Sequence, residues 1–288
     1  MTHRFNRSPH SPALFQDTPT RSVDVGGTAF VYREVGPRTG VPVILLNHLG
    51  AQLDNFDPRI VDGLAATRWV IAFDNRGIGA SGGKTPSSIA EMARDAVAFI
   101  RALGFEEVDL FGFSLGGFVA QEIVLTEPRL VRKLILAGTG PAGGQGIDKV
   151  TPLTIVDMIK GALTLRDPKY YLFFTRTPNG RRAAKAFLQR LTERQVDRDK
   201  PVSLSAFGAQ LKAIKAYGLQ APQDLSTIRI PTLVANGDQD RMVPSGNTHD
   251  LARRIPRAQL VIYADAGHGG VFQNHADFAP KALAFLDA

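Results

Sequence analysis

Gly112-Phe113-Ser114-Leu115-Gly116 sets a serine between two glycines, each two positions away. A serine hydroxyl is a weak nucleophile near neutral pH and needs a base to take its proton. On a sharp strand-to-helix turn it is presented to substrate, and small residues two places to either side let the backbone fold tightly beneath it. The flanks supply that setting: the apolar run EEVDLF precedes Ser114 and the amphipathic stretch GGFVAQEIVL follows. Ser114 is therefore the candidate nucleophile. The plainer alternative is an ordinary serine in a glycine-rich turn, holding a phosphate at a helix N-terminus.

A base must come from the six histidines, at positions 3, 10, 48, 249, 268 and 275. His3 and His10 fall in a polar leading segment. His249 and His275 sit in helical patterns, where a solvent-facing ring is the plain reading. His268 stands in VIYADAGHGGVF, on a glycine-flanked loop that ends an apolar run. That position lets its ring reach over a sheet edge toward Ser114. The acid that orients it is expected in NGDQDRMVP, after another apolar run. Asp238 reads as a turn residue bonding nearby amides, and Asp240, further into the loop, is the chosen partner. It would fix the imidazole tautomer and stabilise the imidazolium. An oxyanion needs preorganised N–H donors as well. The Leu115 amide is the expected first donor. The second comes from Asn47-His48-Leu49-Gly50, with Leu49 chosen and Gly50 left open; His48 is read as a brace for that loop.

These residues need a scaffold that gathers strand ends. VDVGGTAFVYREV reads as two strands around a Gly-Gly turn, and VPVILLNH, RWVIAFD, EEVDLFGFS, VRKLILAG, IPTLVANGD and AQLVIYAD as further strands. Continuous apolar runs suit strands buried on both faces of a parallel sheet. Helical patterns alternate with them near 58–66, 88–103, 115–126, 248–254 and 273–286. The alternation predicts an α/β fold, a mostly parallel sheet flanked by helices. It is interrupted at 141–222 by helical sequence without a convincing strand, read as a cap over the carboxyl edge of the sheet, where open α/β sheets bind ligands. The expected organisation is thus a core of 22–140 and 223–288, an inserted helical cap (lid) of 141–222 and a mobile N-terminal tail of 1–21.

The tail sequence has no apolar core of the kind a secretory signal needs. With no cysteine in 288 residues, thiolate chemistry and disulfides are excluded, which suits a cytoplasmic enzyme. No run approaches the roughly 18 apolar residues of a membrane span. The net charge of +7 is concentrated: residues 166–215 hold twelve Lys/Arg against four Asp/Glu. With few aromatics interleaved, the excess reads as a solvated helix face rather than a nucleic-acid surface.

Together with PVILLNHLG, FDNRGIGASGG and LILAGTGPAGG, these motifs resemble the α/β-hydrolase superfamily from about residue 22 onward. NHLG, followed by Leu53-Asp54-Asn55-Phe56 and DNRGIGAS, is similar to the β-ketoadipate enol-lactone hydrolase and carboxylesterase group. The resemblance implies a serine hydrolase that cleaves an ester or lactone with a Ser–His–Asp triad and no metal or organic cofactor. Ser114 stands where dehalogenase and epoxide-hydrolase relatives carry aspartate, which turns the expectation away from those chemistries. In Asp74-Asn75-Arg76-Gly77, Arg76 could bind a substrate carboxylate, but ordering of the loop beneath the nucleophile is preferred.

The expected partner is a small-molecule ester or lactone, mostly apolar, in a pocket drawing on Leu153, Ile155, Met158, Tyr171, Phe173 and Phe174. It would be anionic if cap arginines face inward. Neither nucleic acid nor membrane is expected, and a homo-oligomer is left open. Two other readings stand beside this one: cofactor-free oxygenase or lyase chemistry using His268–Asp240 as a base, and a ligand-trapping receptor.

Overall fold

The computed structural model describes residues 14–288. Eight strands form one sheet: β1 (Arg21–Val25), β2 (Thr28–Val35), β3 (Val43–Leu46), β4 (Val70–Phe73), β5 (Val108–Phe113), β6 (Val131–Ala137), β7 (Thr232–Gly237) and β8 (Ala258–Tyr263). Their order is β1-β2-β4-β3-β5-β6-β7-β8. β1 and β2 form an antiparallel hairpin whose second strand pairs antiparallel with β4; all remaining pairings are parallel. β3, β4, β5 and β7 are buried along their whole length, as their unbroken apolar runs require.

Helices α1 (Pro58–Ala65), α2 (Ile89–Ala102) and α3 (Leu115–Thr126) connect the first parallel strands. The strand order reverses direction between β3 and β5. Because such crossovers are right-handed, the helix on the β3-to-β4 step lies on the face opposite those that follow. The reversal point at the carboxyl ends of β3 and β5 is where an open α/β sheet leaves a crevice.

Four helices stand between β6 and β7: α4 (Val150–Leu163), α5 (Lys169–Leu172), α6 (Pro178–Arg190) and α7 (Leu204–Gly218). After β7 come α8 (Gly246–Arg254), α9 (Gly270–Gln273) and α10 (His275–Asp287). The last helical stretch read from sequence corresponds to α10, which packs on α1, and the short α9 precedes it.

The basic segment does more than face solvent. Arg190 makes a bidentate contact with the buried Asp57 just before α1, at 2.9 and 2.6 Å. Asp54 binds Arg33 at 2.6 Å with both side chains 1% exposed, and also attracts Arg194 and Arg198. These pairs fasten the inserted helices to the core, and removing one partner would strand a buried charge.

The segment expected to be a tail divides. Residues 1–13 lie outside the described residues. Beyond them the chain packs onto the core: Phe15 is buried edge-on to Phe56, and its amide donates to Asp62 Oδ1 at 2.7 Å. Arg194 donates to the carbonyls of Gln16 and Thr18. One buried phenylalanine in a polar segment has no periodicity to announce it. Among the described residues, no helix is long and apolar enough to cross a membrane.

Candidate active site

Ser114 ends β5 and begins α3 with φ 56° and ψ −117°, a conformation that costs a non-glycine residue about 1–3 kcal/mol. The glycines explain how it is held. A Cβ on Gly112 would lie 2.7 Å from the Gly116 carbonyl carbon, and one on Gly116 would overlap the Leu46 carbonyl of β3. The Ser114 carbonyl is fixed from below by the Gly117 amide and the Thr139 hydroxyl, at 2.8 and 2.9 Å. The turn therefore packs β5 against the start of α3 and α3 against the end of β3, which leaves no room for side chains at those positions.

His268 and Asp240 are brought together across two loops. His268 Nδ1 lies 2.7 Å from Asp240 Oδ2, with both side chains wholly buried. The other Asp240 oxygen accepts the amides of Met242 and Val243 at 2.8 and 3.0 Å, while Oδ2 also accepts Asn236 Nδ2 at 3.0 Å. Four donors thus surround one carboxylate, and charge-assisted bonds of this kind are the strong ones. Asp238 is exposed and accepts the Ala266 amide at 3.2 Å, as a turn residue should. The His268 ring lies 5.0 Å from that of Phe113, the residue before Ser114. Its Nε2 is buried with no hydrogen-bond partner among the described residues. His249 is exposed and His275 half-buried, while His3 and His10 lie outside the described residues.

The loop after β3 is braced by Asn47 as well as by His48, whose Nδ1 lies 2.8 Å from the Leu49 carbonyl. Asn47 Nδ2 donates to the Gln52 carbonyl at 3.1 Å and Oδ1 accepts the His48 amide at 2.9 Å. The Gly50 amide is committed to Gln210 Oε1 of α7 at 2.8 Å. Among the described residues, the amides of Leu49 and Leu115 donate to no acceptor. His48 packs its ring edge-on against Phe113 and Phe173. Burial first, then the nearby Lys169 charge, lowers its pKa to about 3.

A cavity of about 160 Å³ opens beside these groups. His48, Leu49 and Ser114 form its floor, and Thr154, Met158 and Leu172 come from the inserted helices. Of the pocket residues expected from sequence, Met158 and Phe173 border it. Ile155 is 47% exposed, Tyr171 faces a separate groove with Arg166, and Phe174 packs against Phe187. No arginine lines the cavity among the described residues; its one cation, Lys169, is 3.3 Å from Asp167 on the same wall. Arg76 is also directed elsewhere, bonded to Asp95 of α2 at 2.8 and 2.6 Å. No cluster of three or more His, Cys, Asp or Glu is placed to hold a metal among the described residues.

A family model described as the alpha/beta hydrolase fold matches residues 41–275. The chain belongs to that family. This α/β-hydrolase is 30% identical over 241 residues to a putative carbamate hydrolase RutD of Azorhizobium caulinodans, covering 82% of this chain and 86% of that one. It is 27% identical to a non-heme chloroperoxidase of Streptomyces lividans, over 90% of this chain and 96% of the other. Among solved structures it is similar to an alpha/beta hydrolase fold protein from Chitinophaga pinensis, with TM-score 0.90, 37% identity and coverage of 96% and 100%. The fold is also shared with the enol-lactonase from Burkholderia xenovorans LB400, at TM-score 0.76 and 22% identity over 93% and 100% of the two chains. Membership and these likenesses support hydrolase activity.

Four polar residues that shape this α/β-hydrolase site escape a reading of the sequence: Asn47, Thr154, Gln210 and Asn236. Asn236 carried a local signal, since it immediately precedes the Gly237-Asp238 turn. Gln210 and Thr154 carried none, because each meets the site only through long-range packing.

Proposed function

We propose that this chain hydrolyses carboxylic esters or lactones through an acyl-enzyme on Ser114, with His268 as general base and Asp240 as the acid that orients it. The observation that carries this reading is the buried 2.7 Å contact between His268 and a fully satisfied Asp240, beside a serine held at φ 56°. A carboxylate with every lone pair engaged has one task left, to hold the imidazole with Nε2 free for proton transfer.

In the first half-reaction Ser114 Oγ attacks the carbonyl carbon and its proton passes to His268 Nε2. The oxyanion is received by the amides of Leu49 and Leu115, which have no competing acceptor in the protein. Gly50 is ruled less suitable because Gln210 already holds its amide. Collapse of the tetrahedral intermediate returns the proton to the departing alkoxide and leaves the acyl-enzyme. Water then gives a proton to His268, attacks the ester, and Ser114 regains the proton as the acid departs. Contact between Ser114 and His268 tightens when substrate fills the cavity, as catalytic hydrogen bonds commonly do.

The helices α4 to α7 act as the cap, and the cavity of about 160 Å³ beside them favours short acyl groups. With Lys169 beside Asp167, the wall offers little net charge, so neutral substrates fit better than the anionic ones that inward-facing arginines would have favoured.

Labelling with a fluorophosphonate tests the assignment. The expected mass adduct lies on the peptide containing Ser114 and disappears in Ser114→Ala. An adduct on another residue, or none on a folded protein, would remove the nucleophile from the scheme. Turnover that survives Ser114→Ala would instead point to His268–Asp240 acting as a base alone.

A further inference from the structure

Two buried polar atoms border the cavity beside Ser114 without a hydrogen-bond partner among the described residues. One is His48 Nε2, the other the Thr154 hydroxyl, on side chains 3% and 2% exposed. His48 Nδ1 lies 2.8 Å from the Leu49 carbonyl. A carbonyl only accepts, so Nδ1 carries the hydrogen and Nε2 presents a lone pair. The aromatic edges of Phe113 and Phe173 keep the ring from turning. Thr154 is unusual for a helical threonine. Thr126 and Thr164 satisfy their hydroxyls on the carbonyls four residues back, at 2.8 and 2.7 Å. Thr154 makes no such bond, so its hydroxyl is available to whatever occupies the cavity.

The rest of the wall is largely apolar, with Leu49, Met158, Leu172, Phe173, Phe207 and Met242. Both atoms are already shielded from solvent, so a group entering the cavity is what can pair them. A purely hydrocarbon acyl chain would then leave an acceptor buried and unpaired, whereas a chain bearing a donor would pair it.

We propose that the cavity selects acyl substrates that carry a hydroxyl or N–H group, bound at His48 Nε2 with the Thr154 hydroxyl as a second contact. This rests on the reading of the cavity as the acyl site of a serine hydrolase and names the substrate class it takes. His48 is then a specificity-determining residue rather than a base: it stays neutral across the physiological range and gives up no proton of its own.

Binding to Ser114→Ala separates this from turnover. Ethyl butyrate, ethyl 2-hydroxybutyrate and ethyl 3-hydroxybutyrate are titrated calorimetrically into that variant and into its combinations with His48→Phe and Thr154→Val. At least one hydroxylated ester is expected to bind between about fivefold and a hundredfold tighter than ethyl butyrate. His48→Phe, which suits an aromatic cluster, should abolish the preference, and the near-isosteric Thr154→Val should reduce it. Equal binding of all three esters to Ser114→Ala overturns the proposal, as does a preference that survives both substitutions. Failure of the wild type to hydrolyse any of them, with the binding preference intact, would sink the hydrolase reading and leave the selectivity standing.

Discussion

Gln210, near the middle of α7, accepts the Gly50 amide at 2.8 Å. A residue of the inserted helices thereby holds the loop that carries the proposed oxyanion donor Leu49. The bond also removes the Gly50 amide from competition for an oxyanion. The inserted helices and the loop after β3 are therefore one mechanical unit at this point.

Gln210→Leu should loosen that loop. Because loss of a complete oxyanion donor costs about a hundredfold or more in kcat, loss of its support should cost about tenfold, with KM little changed. Steady-state kinetics on a short ester would show it. A rise in KM at constant kcat would mean that Gln210 serves binding instead.

Asp240→Asn keeps the shape of the side chain but replaces an oxygen acceptor with an amide, which favours the wrong imidazole tautomer. The expected fall in kcat is about ten-thousandfold. Asn236→Ala removes only one of the four donors around Asp240 and should cost about tenfold. Equal losses in the two variants would show that Asn236 does more than position the acid.

Gly116→Ala would drive a methyl group into the Leu46 carbonyl of β3. Backbone cannot yield there as a flexible side chain would, so a loss of at least about 3 kcal/mol in stability is expected. Thermal unfolding should show it as a large fall in Tm. Unchanged stability would mean that the nucleophile turn does not pack on β3 as described.

Asp74 is buried, and its carboxyl faces that of Asp199, with the Leu53 amide beside it. Burial first, then Asp199, raises its pKa well above the ordinary carboxylate value. A group with a raised folded pKa binds a proton in the folded chain that the unfolded chain has already lost. Stability therefore falls as pH rises from the ordinary carboxylate range through the folded pKa. Asp74→Asn should be more stable than wild type at neutral pH, with the gap closing on acidification. Denaturant unfolding across pH measures it, and a gap that widens toward acid would contradict the assignment.

The fold was legible because its strands are unbroken apolar runs and its turns carry glycine. The sharp turn at Ser114 was legible because it restricts residue types on both sides, and the contact of Asp240 with His268 because Asp240 lies past the Gly237-Asp238 turn. The cavity wall was harder to read. Periodicity in α4 groups residues by face, but it does not say which face meets the cavity. Thus Ile155 proves exposed, Thr154 is buried against the cavity, and Met158 borders it while staying 38% exposed. The role of the basic segment was hidden for a related reason. Arg190 finds its carboxylate more than a hundred residues away, at Asp57, and Arg194, though paired with the nearby Asp197, also reaches toward Asp54; no local pattern encodes the long-range contacts.

The most direct test of the account is hydrolysis of p-nitrophenyl esters, from acetate to octanoate, by wild type and Ser114→Ala in parallel. The account predicts turnover by the wild type, best with short acyl chains, and a fall of at least about a thousandfold in the variant. Equal rates from two folded proteins would contradict it.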